Sequence, residues 1–109
     1  MNDVTIKSLD SNPQRFELSL VKSDGRWAGH VAFVWVDNTI EYVAKGGVKY
    51  REEIKSLRAI QFRRQDAEFM MRLCFKSSDC DEIASLSDAQ FEEIKSVLSR
   101  HGVPVEEKE

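Results

Sequence analysis

The stretch "LSDAQFEEIKSVLSRHGVP", Leu86 to Pro104, decides the fold, because apolar residues change here from every second position to every third or fourth. Ser87 and Gln90 have the spacing of a capping box, in which each side chain bonds to the backbone amide of the other residue. The residues on one face of the resulting helix are Phe91, Ile94, Val97, Leu98 and His101. The sequence therefore predicts one amphipathic helix over residues 87–101.

Two residues mark the end of this helix. Gly102 is suited to the left-handed position that follows a helix, and Pro104 cannot continue one. We expect the segment after them, residues 103–109, to be a frayed acidic tail.

The segment before the helix, residues 16–86, has the rhythm of β-strands. Phe16, Leu18 and Leu20 alternate with polar residues, and clusters of turn-forming residues separate this run from the next ones. The clusters are Ser23–Arg26, Asp37–Asn38 and Lys45–Gly47. The predicted fold class is α+β and mainly antiparallel, with six or seven short strands in a bent sheet or partly open barrel that one C-terminal helix caps.

The hairpin "LRAIQFRRQDAEFMMRLCFK", Leu57 to Lys76, sets arginines among apolar residues. A loop centred on Gln65 and Asp66 places Arg63 opposite Glu68. One face then carries Ile60, Phe62, Phe69, Met71, Leu73 and Phe75, and the other carries Gln61, Arg63, Glu68, Met70, Arg72, Cys74 and Lys76. Strong helix formers leave a helix over residues 51–62 open as the alternative.

The order of these elements, with the segment "YREEIKSL" from Tyr50 to Leu57, resembles the bacterial pleckstrin-homology-like (PH-like) fold. The resemblance implies a bent, partly open barrel with Phe91, Ile94 and Leu98 as its plug. Lipid-binding members carry a lysine and an arginine-x-arginine cluster in the first hairpin. This chain has only Lys22 and Arg26 there, which argues against phosphoinositide recognition.

At 109 residues the chain fits a single domain, residues 1–109. Residues 1–14 contain Asp3, Asp10 and Pro13 and are expected to form a flexible arm. They lack the apolar run of a secretory signal, which predicts a cytoplasmic location. The apolar run from Trp27 to Val36 is about half the length that a membrane-spanning helix needs.

Metal, cofactor and catalytic motifs are missing from the sequence. Cys74, Cys80, His30 and His101 lack the short paired spacings of zinc ligands, so neither a metal nor a cofactor is predicted. The absence of an export signal favours reduced thiols, with a bridge across the turn at 76–79 left open. Because no nucleophile, metal or phosphate-loop motif is present, we predict a protein that is not an enzyme. His30 is interpreted as a hydrogen-bonded histidine within a sheet.

Charge is distributed unevenly along the chain. Residues 45–76 hold nine basic and four acidic residues, whereas residues 77–109 hold three basic and nine acidic residues. The candidate partner-binding residues of the basic segment are Lys45, Lys49, Arg58, Arg63, Arg64 and Arg72. The alternative, which the sequence favours, is a solvated face that the acidic C-terminal third neutralises in part.

The run from Trp27 to Val36 is apolar at both parities. Either the sheet buries both faces of this strand, or part of it contacts another molecule. In the second case Trp27, Trp35 and Val34 belong to the partner-binding set.

These observations predict a small non-enzymatic protein-interaction or self-association module of the bacterial cytoplasm, with a homodimer as one form. Two alternatives stay open: an inhibitor or immunity-type protein that uses its acidic C-terminal third, and a phosphate or anionic-lipid binder that uses the basic hairpin. An isoelectric point near 5.4 argues against nucleic acid as a partner. Membrane lipid is likewise not the expected partner.

Overall fold

In the computed structural model, residues 4–12, 14–22, 24–25, 27–77 and 79–108 are described. These residues form nine strands, one α-helix and a short 3-10 helix at Ile54–Ser56. The elements are β1 (Val4–Asn12), β2 (Arg15–Lys22), β3 (Trp27–Val34), β4 (Thr39–Val43), β5 (Lys49–Glu53), β6 (Leu57–Gln65), β7 (Glu68–Phe75), β8 (Cys80–Leu86), α1 (Asp88–Arg100) and β9 (Val105–Lys108). The predicted α+β class, mainly antiparallel, is confirmed.

The chain separates into two compact units, Met1–Ser56 and Leu57–Glu109, here called the N-terminal and the C-terminal unit. The described strands number nine, where six or seven were predicted, and they form a five-stranded and a four-stranded sheet in place of a single bent sheet. The partly open barrel stays a prediction. The prediction missed β1 and β9, whose residues had been assigned to a flexible arm and a frayed tail. That the chain is a single domain stays a prediction.

The N-terminal unit is an antiparallel meander in the order β1-β2-β3-β4-β5. Each strand pairs with the next one along the chain. Gly46 and Gly47 have φ angles of 101° and 87° between β4 and β5, a conformation that glycine adopts without steric cost. Strand β1 occupies residues 4–12 of the arm predicted over residues 1–14 and pairs with β2 from Val4 opposite Lys22 onward. Asp10 lies inside this strand, although it was interpreted as an arm residue. Asp3 and Pro13, which also belonged to the predicted arm, lie outside the described residues.

Strand β3 lies at the centre of this sheet and is buried on both faces. Val31 and Phe33 lie on one face and Ala32 and Val34 on the other, and all four are buried. Phe33 stacks on Phe16 of β2 with ring centroids 6.0 Å apart. Of the two alternatives for the run 27–36, the one with both faces buried is therefore observed for these residues.

The C-terminal unit has a four-stranded sheet in the order β8-β7-β6-β9. Strand β6 begins at Leu57, directly after the short 3-10 helix, so the strand interpretation of this region is confirmed and the helix over 51–62 is excluded. The turn between β6 and β7 consists of Asp66 and Ala67, with Asp66 at a φ of 54°.

The predicted register of this hairpin was wrong by two residues. Arg63 lies opposite Met70, and Glu68 lies opposite Gln65 instead. A shift by an even number keeps every side chain on its predicted face, because side chains alternate with a period of two. The face that was predicted to be exposed to solvent is partly buried, because Gln61, Met70 and Cys74 on this face are buried.

The predicted helix is confirmed as α1, and the Ser87–Gln90 capping box is present at its start. Its buried residues are Phe91, Ile94, Val97 and Leu98. The Phe91 ring stacks on Phe69 at 4.0 Å between centroids and meets Phe62 edge-on at 4.9 Å. The apolar stripe of the helix therefore packs against the β6–β7 hairpin.

The frayed tail predicted over 103–109 was wrong, because Val105–Lys108 forms β9, which pairs in parallel with β6. Val103 is buried after the helix ends, and the amide of Ile60 donates to the carbonyl of Pro104. Pro104 stops the helix as predicted, but the chain then continues along the sheet instead of into solvent.

The sulfur atoms of Cys74 and Cys80 are joined in a disulfide, whereas the sequence favoured reduced thiols. The two cysteines lie directly opposite each other on β7 and β8, with Cα atoms 4.1 Å apart. Strand pairing has therefore already brought the side chains together, which the spacing of the two cysteines in the sequence does not reveal.

Candidate functional site

One face of the N-terminal sheet carries a charged cluster around Arg15, Glu17, His30 and Glu41. The alternation of β2 places Arg15, Glu17 and Ser19 on the face opposite the buried Phe16 and Leu18. Pairing of β2 with β3 and of β3 with β4 brings His30 and Glu41 to the same face. This cluster is called the charged face below.

Arg15 joins the two carboxylates of the charged face. Its Nε lies 3.1 Å from Glu17 Oε2, and its Nη1 lies 3.6 Å from Glu41 Oε1. Ala32 is opposite Glu17 on one side and opposite Glu41 on the other. Because alanine ends at Cβ, the space between the two carboxylates is open to the guanidinium group.

His30 is held from both ring nitrogens. Its Nδ1 lies 3.0 Å from the hydroxyl oxygen of Ser19, and its Nε2 lies 3.4 Å from Glu17 Oε1. Burial lowers the pKa of His30 below its ordinary value of 6.5; Arg15 lowers it further, while Glu17 and Glu41 oppose the shift. The neutral ring that fits this network carries its hydrogen on Nε2 and accepts the Ser19 hydroxyl at Nδ1.

The three side chains Ser19, His30 and Glu17 resemble a nucleophile, a base and an orienting carboxylate. Ser19, however, is buried and lies outside the lining of the neighbouring cavity. A nucleophile needs contact with its substrate, so this geometry fixes the histidine ring. The interpretation of His30 as a hydrogen-bonded sheet histidine is confirmed.

A cavity of about 660 Å³ opens on the charged face and extends to the edge of the sheet. Its lining comprises Arg15, Glu17, His30, Glu41, Tyr42, Val43, Gly47, Lys49 and Tyr50. The cationic groups of Arg15 and Lys49 offset the carboxylates of Glu17 and Glu41, while the His30 ring is neutral. The cavity therefore offers cationic hydrogen-bond donors and anionic acceptors, and their charges largely cancel.

Strand β5, Lys49–Glu53, borders this cavity and is the outermost strand of the sheet. All five of its residues are exposed, and Tyr50 stacks on the buried Tyr42 at 5.3 Å between centroids. The amide of Ala44 donates to Val48 and the amide of Ile54 donates to Asn38.

These two bonds fix the direction of the β5 backbone groups. In an antiparallel pair, hydrogen-bonded and non-hydrogen-bonded positions alternate. The register of β4 and β5 then turns the amides and carbonyls of Lys49, Arg51 and Glu53 away from β4. The side chains of these three residues lie on the charged face, which gives β5 an outward row of donors and acceptors beside the cavity.

The residues that the sequence proposed for partner binding lie in both units. Lys45 and Lys49 are exposed in the N-terminal unit, whereas Arg58, Arg63, Arg64 and Arg72 belong to the hairpin of the C-terminal unit. Val34 is buried in β3. Trp35 is partly exposed and contacts Phe33 at 5.7 Å between centroids. The side chain of Trp27 lies outside the described part of the chain.

Three arginines of the hairpin bind carboxylates from the acidic C-terminal third. Arg64 lies 2.6 Å from Asp88 and also covers the Phe69 ring at 4.7 Å. Arg72 lies 3.4 Å from Glu82, and Arg58 pairs with Glu106. The partial neutralisation that the sequence favoured is confirmed for these arginines, although the pair expected between Arg63 and Glu68 is replaced by Arg63 opposite Met70.

Sequence reasoning missed Arg15, Glu17 and Glu41. The signal was present in the alternation of "RFELSL", Arg15 to Leu20, which puts both charged residues and Ser19 on one face. Their convergence with Glu41 depends on the pairing of β3 with both β2 and β4, and the sequence pattern alone does not give that register.

Comparison of the chain with models of protein families, with curated proteins and with solved structures returned no match. The resemblance to PH-like domains therefore stays a prediction. Within the described residues, His, Cys, Asp and Glu do not gather in groups of three that could hold a metal ion. The helix of the described chain, α1, is too short and too polar to span a bilayer.

Proposed function

We propose that this protein is a non-enzymatic interaction module that binds an extended polypeptide segment as an additional strand along β5. The observation that carries the proposal is the exposure of all five residues of this outermost strand beside the cavity of the charged face. Main-chain bonds to an exposed sheet edge supply affinity in this mode of recognition, and pockets for alternate side chains supply specificity.

The two faces of β5 set different requirements for the bound segment. Side chains that point to the charged face meet Lys49, Arg51 and Glu53, so opposite charges are favoured there. Side chains of the other parity meet Tyr50, which is 42% exposed, Val48, which is 52% exposed, and the exposed Glu52. The fitting segment therefore carries charged residues on one face, and on the other face it carries an apolar or aromatic residue beside a residue that suits the Glu52 carboxylate.

The other described sheet edges are less suited to this role. Strand β8 is buried or half-buried along its whole length. Strand β9 has two half-buried residues, and its Glu106 and Glu107 are paired with Arg58 and Lys95. Strand β5 thus presents the most open edge among those whose side chains are described.

The inhibitor and phosphate-binding alternatives draw less support from the contacts. Glu92 and Glu93 are exposed on α1, as an inhibitory acidic surface requires. Arg64 and Arg72, however, already hold the carboxylates of Asp88 and Glu82, which a phosphate group would have to displace.

Proline at position 51 tests the proposal, because the Arg51 amide points away from β4. Arg51→Pro removes one outward donor and leaves the β4–β5 bonds in place. Arg51→Ala is the matched control, since it removes the same side chain and keeps the amide. The probe is a random twelve-residue peptide library selected on the wild-type protein, with NMR shifts of the bound amides as the readout.

We expect selected peptides to shift the amides of Lys49, Arg51 and Glu53, to lose about ten-fold or more in affinity for Arg51→Pro, and to keep their affinity for Arg51→Ala to within about three-fold. The amides of Tyr50 and Glu52 report the integrity of the β4–β5 ladder in both variants. Peptides that bind Arg51→Pro as tightly as wild type, or that shift α1 instead of β5, would contradict the proposal.

A further inference from the structure

We propose that the strand added to β5 is β5 of a second copy, which runs antiparallel about a two-fold axis at Arg51. This inference rests on the proposed function, because it uses the same edge, and it names the partner. In this arrangement Lys49 of one copy faces Glu53 of the other, and Arg51 faces its own counterpart. The two N-terminal sheets then continue into each other.

The direction of the backbone groups limits the possible registers. Only Lys49, Arg51 and Glu53 turn their amides and carbonyls outward, so these positions must face one another in a hydrogen-bonded pair. The register with Lys49 opposite Glu53 pairs every residue of both strands. A shift by two residues in either direction leaves part of each strand unpaired.

Charge contributes to the choice of register. With Lys49 opposite Glu53, an ion pair forms at each end of the ladder. A shift one way puts Lys49 opposite Arg51 and brings like charges together. A shift the other way puts Arg51 opposite Glu53 as well as Glu52 opposite Glu52, so the loss of paired residues, and not charge, disfavours it.

Two features of the single copy bear on the ends and the centre of this ladder. At the centre, Arg51 lies 3.9 Å from Asp37 and opposite Glu41 on β4, so each guanidinium has acidic neighbours that reduce its repulsion of the other. At the ends, Glu53 lies 3.2 Å from Lys55, and both side chains are more than half exposed. An exposed pair of this kind contributes little and exchanges readily.

The contact is small, and this sets the expected affinity. A five-residue ladder buries less surface than the roughly 1,200 Å² at the low end of stable interfaces. We therefore expect a dimer whose Kd lies between about 10 μM and 1 mM.

Substitutions that reverse the charge of Lys49 or Glu53 test the register. Self-association of each variant is measured by sedimentation equilibrium over a concentration series. Lys49→Glu and Glu53→Lys each place like charges at both ends of the ladder, and each is expected to weaken self-association about ten-fold. A mixture of the two single variants restores opposite charges at both ends, so it should form a heterodimer about as tight as the wild-type dimer. The double variant Lys49→Glu/Glu53→Lys should likewise recover.

Arg51→Pro is expected to be monomeric, and Glu92→Lys, on the exposed face of α1, is the control for an unrelated charge change. A wild-type protein that stays monomeric at 1 mM, or single variants that dimerise like wild type, or a mixture that fails to associate, would each overturn the inference. Peptide binding that Arg51→Pro abolishes in a monomeric wild-type protein would leave the proposed function standing. Circular dichroism confirms that each variant is folded.

Discussion

The two units of this chain use their charged side chains differently. In the C-terminal unit, Arg64 and Arg72 pair with Asp88 and Glu82, which follow them in the chain. In the N-terminal unit, the charges of Arg15, Glu17 and Glu41 gather on one face beside a cavity and the open edge of β5. Both units pair these charges internally, and the basic segment next to an acidic one reflects such pairing within the C-terminal unit. The pairs of the N-terminal unit differ because they also line a cavity, where a partner can reach them.

The two units also differ in how they close their apolar faces. In the C-terminal unit, α1 packs against the β6–β7 hairpin, and Phe91 contacts both Phe62 and Phe69. The described part of the N-terminal unit contains no α-helix, and its central strand β3 is covered on both faces by side chains. Each unit also has its own spectroscopic probe, since the helix lies in one and both tryptophans, Trp27 and Trp35, lie in the other.

The largest expected effect comes from Phe91→Ala, which removes the ring that packs α1 against the hairpin of the C-terminal unit. Loss of a buried aromatic ring lowers the free energy of unfolding by about 3–5 kcal/mol. Urea titration followed at 222 nm reports α1, and tryptophan fluorescence reports the N-terminal unit. We expect the midpoint at 222 nm to fall strongly in the variant.

Glu92→Ala is the control for Phe91→Ala, because Glu92 is the exposed neighbour on the same helix. It should change the free energy of unfolding by no more than about 0.5 kcal/mol. A variant Phe91→Ala within 1 kcal/mol of wild type would show that the ring does not hold the helix on the hairpin. A fluorescence midpoint that falls together with the helix signal would show that the two units unfold as one domain.

Removal of the disulfide is expected to have the next largest effect. Cys74→Ala/Cys80→Ala opens a short loop, and the chain-entropy relation gives a loss of about 2 kcal/mol for a loop of this length. The bond restricts the unfolded chain, so the pairing of β7 with β8 in the folded state does not change this value, and the loss of the buried Cys74 sulfur adds to it. The measurement is urea unfolding at 222 nm of the wild type, oxidised and reduced, beside the double variant.

The reduced wild type should match the double variant to within about 1 kcal/mol, since Cys74 is buried and its replacement by alanine also removes a packed sulfur. Thiol titration of the unfolded, oxidised protein supplies the control, because it counts the free cysteines. Two reactive thiols per chain in that sample would contradict the bond between β7 and β8.

Features of the C-terminal unit that depend on residues close together in the chain could be predicted from the sequence. The helix α1, its capping box and its buried stripe depend on residues within a few positions of each other, and the spacing of Ser87, Gln90 and Phe91 was sufficient to predict them. The faces of the β6–β7 hairpin were predicted correctly despite a register error, because an error of two residues preserves side-chain parity.

Features that depend on partners distant in the chain were missed. Strand β9 forms by pairing with β6, where Val105 lies beside Ile60. Its four residues are mostly polar and too few to show the alternation that predicts a strand. The charged face needs three strands in register to bring Glu17 and Glu41 to either side of Ala32. Local alternation gives the face of each residue, but the pairing partner is set by the topology of the whole sheet.

The smallest expected effect is a pH dependence that originates in the N-terminal unit. The folded state lowers the pKa of His30 below 6.5, first through burial and then through Arg15, against the opposing effects of Glu17 and Glu41. Between the folded pKa and 6.5 the unfolded chain binds a proton that the folded chain does not, so the free energy of unfolding rises with pH in this window. The contribution is fully present above about pH 6.5 and is lost as the pH falls toward the folded pKa.

His30→Gln should flatten this slope between about pH 7.5 and 5.5, as measured by urea unfolding followed by tryptophan fluorescence. His101→Gln, which removes the other histidine of the chain, is the matched control. An NMR titration that places the His30 pKa above 6.5 would show that the carboxylates of the charged face outweigh burial. In that case protonated His30 would add to the positive charge of Arg15, and the cavity beside β5 would favour an acidic segment over one of mixed charge.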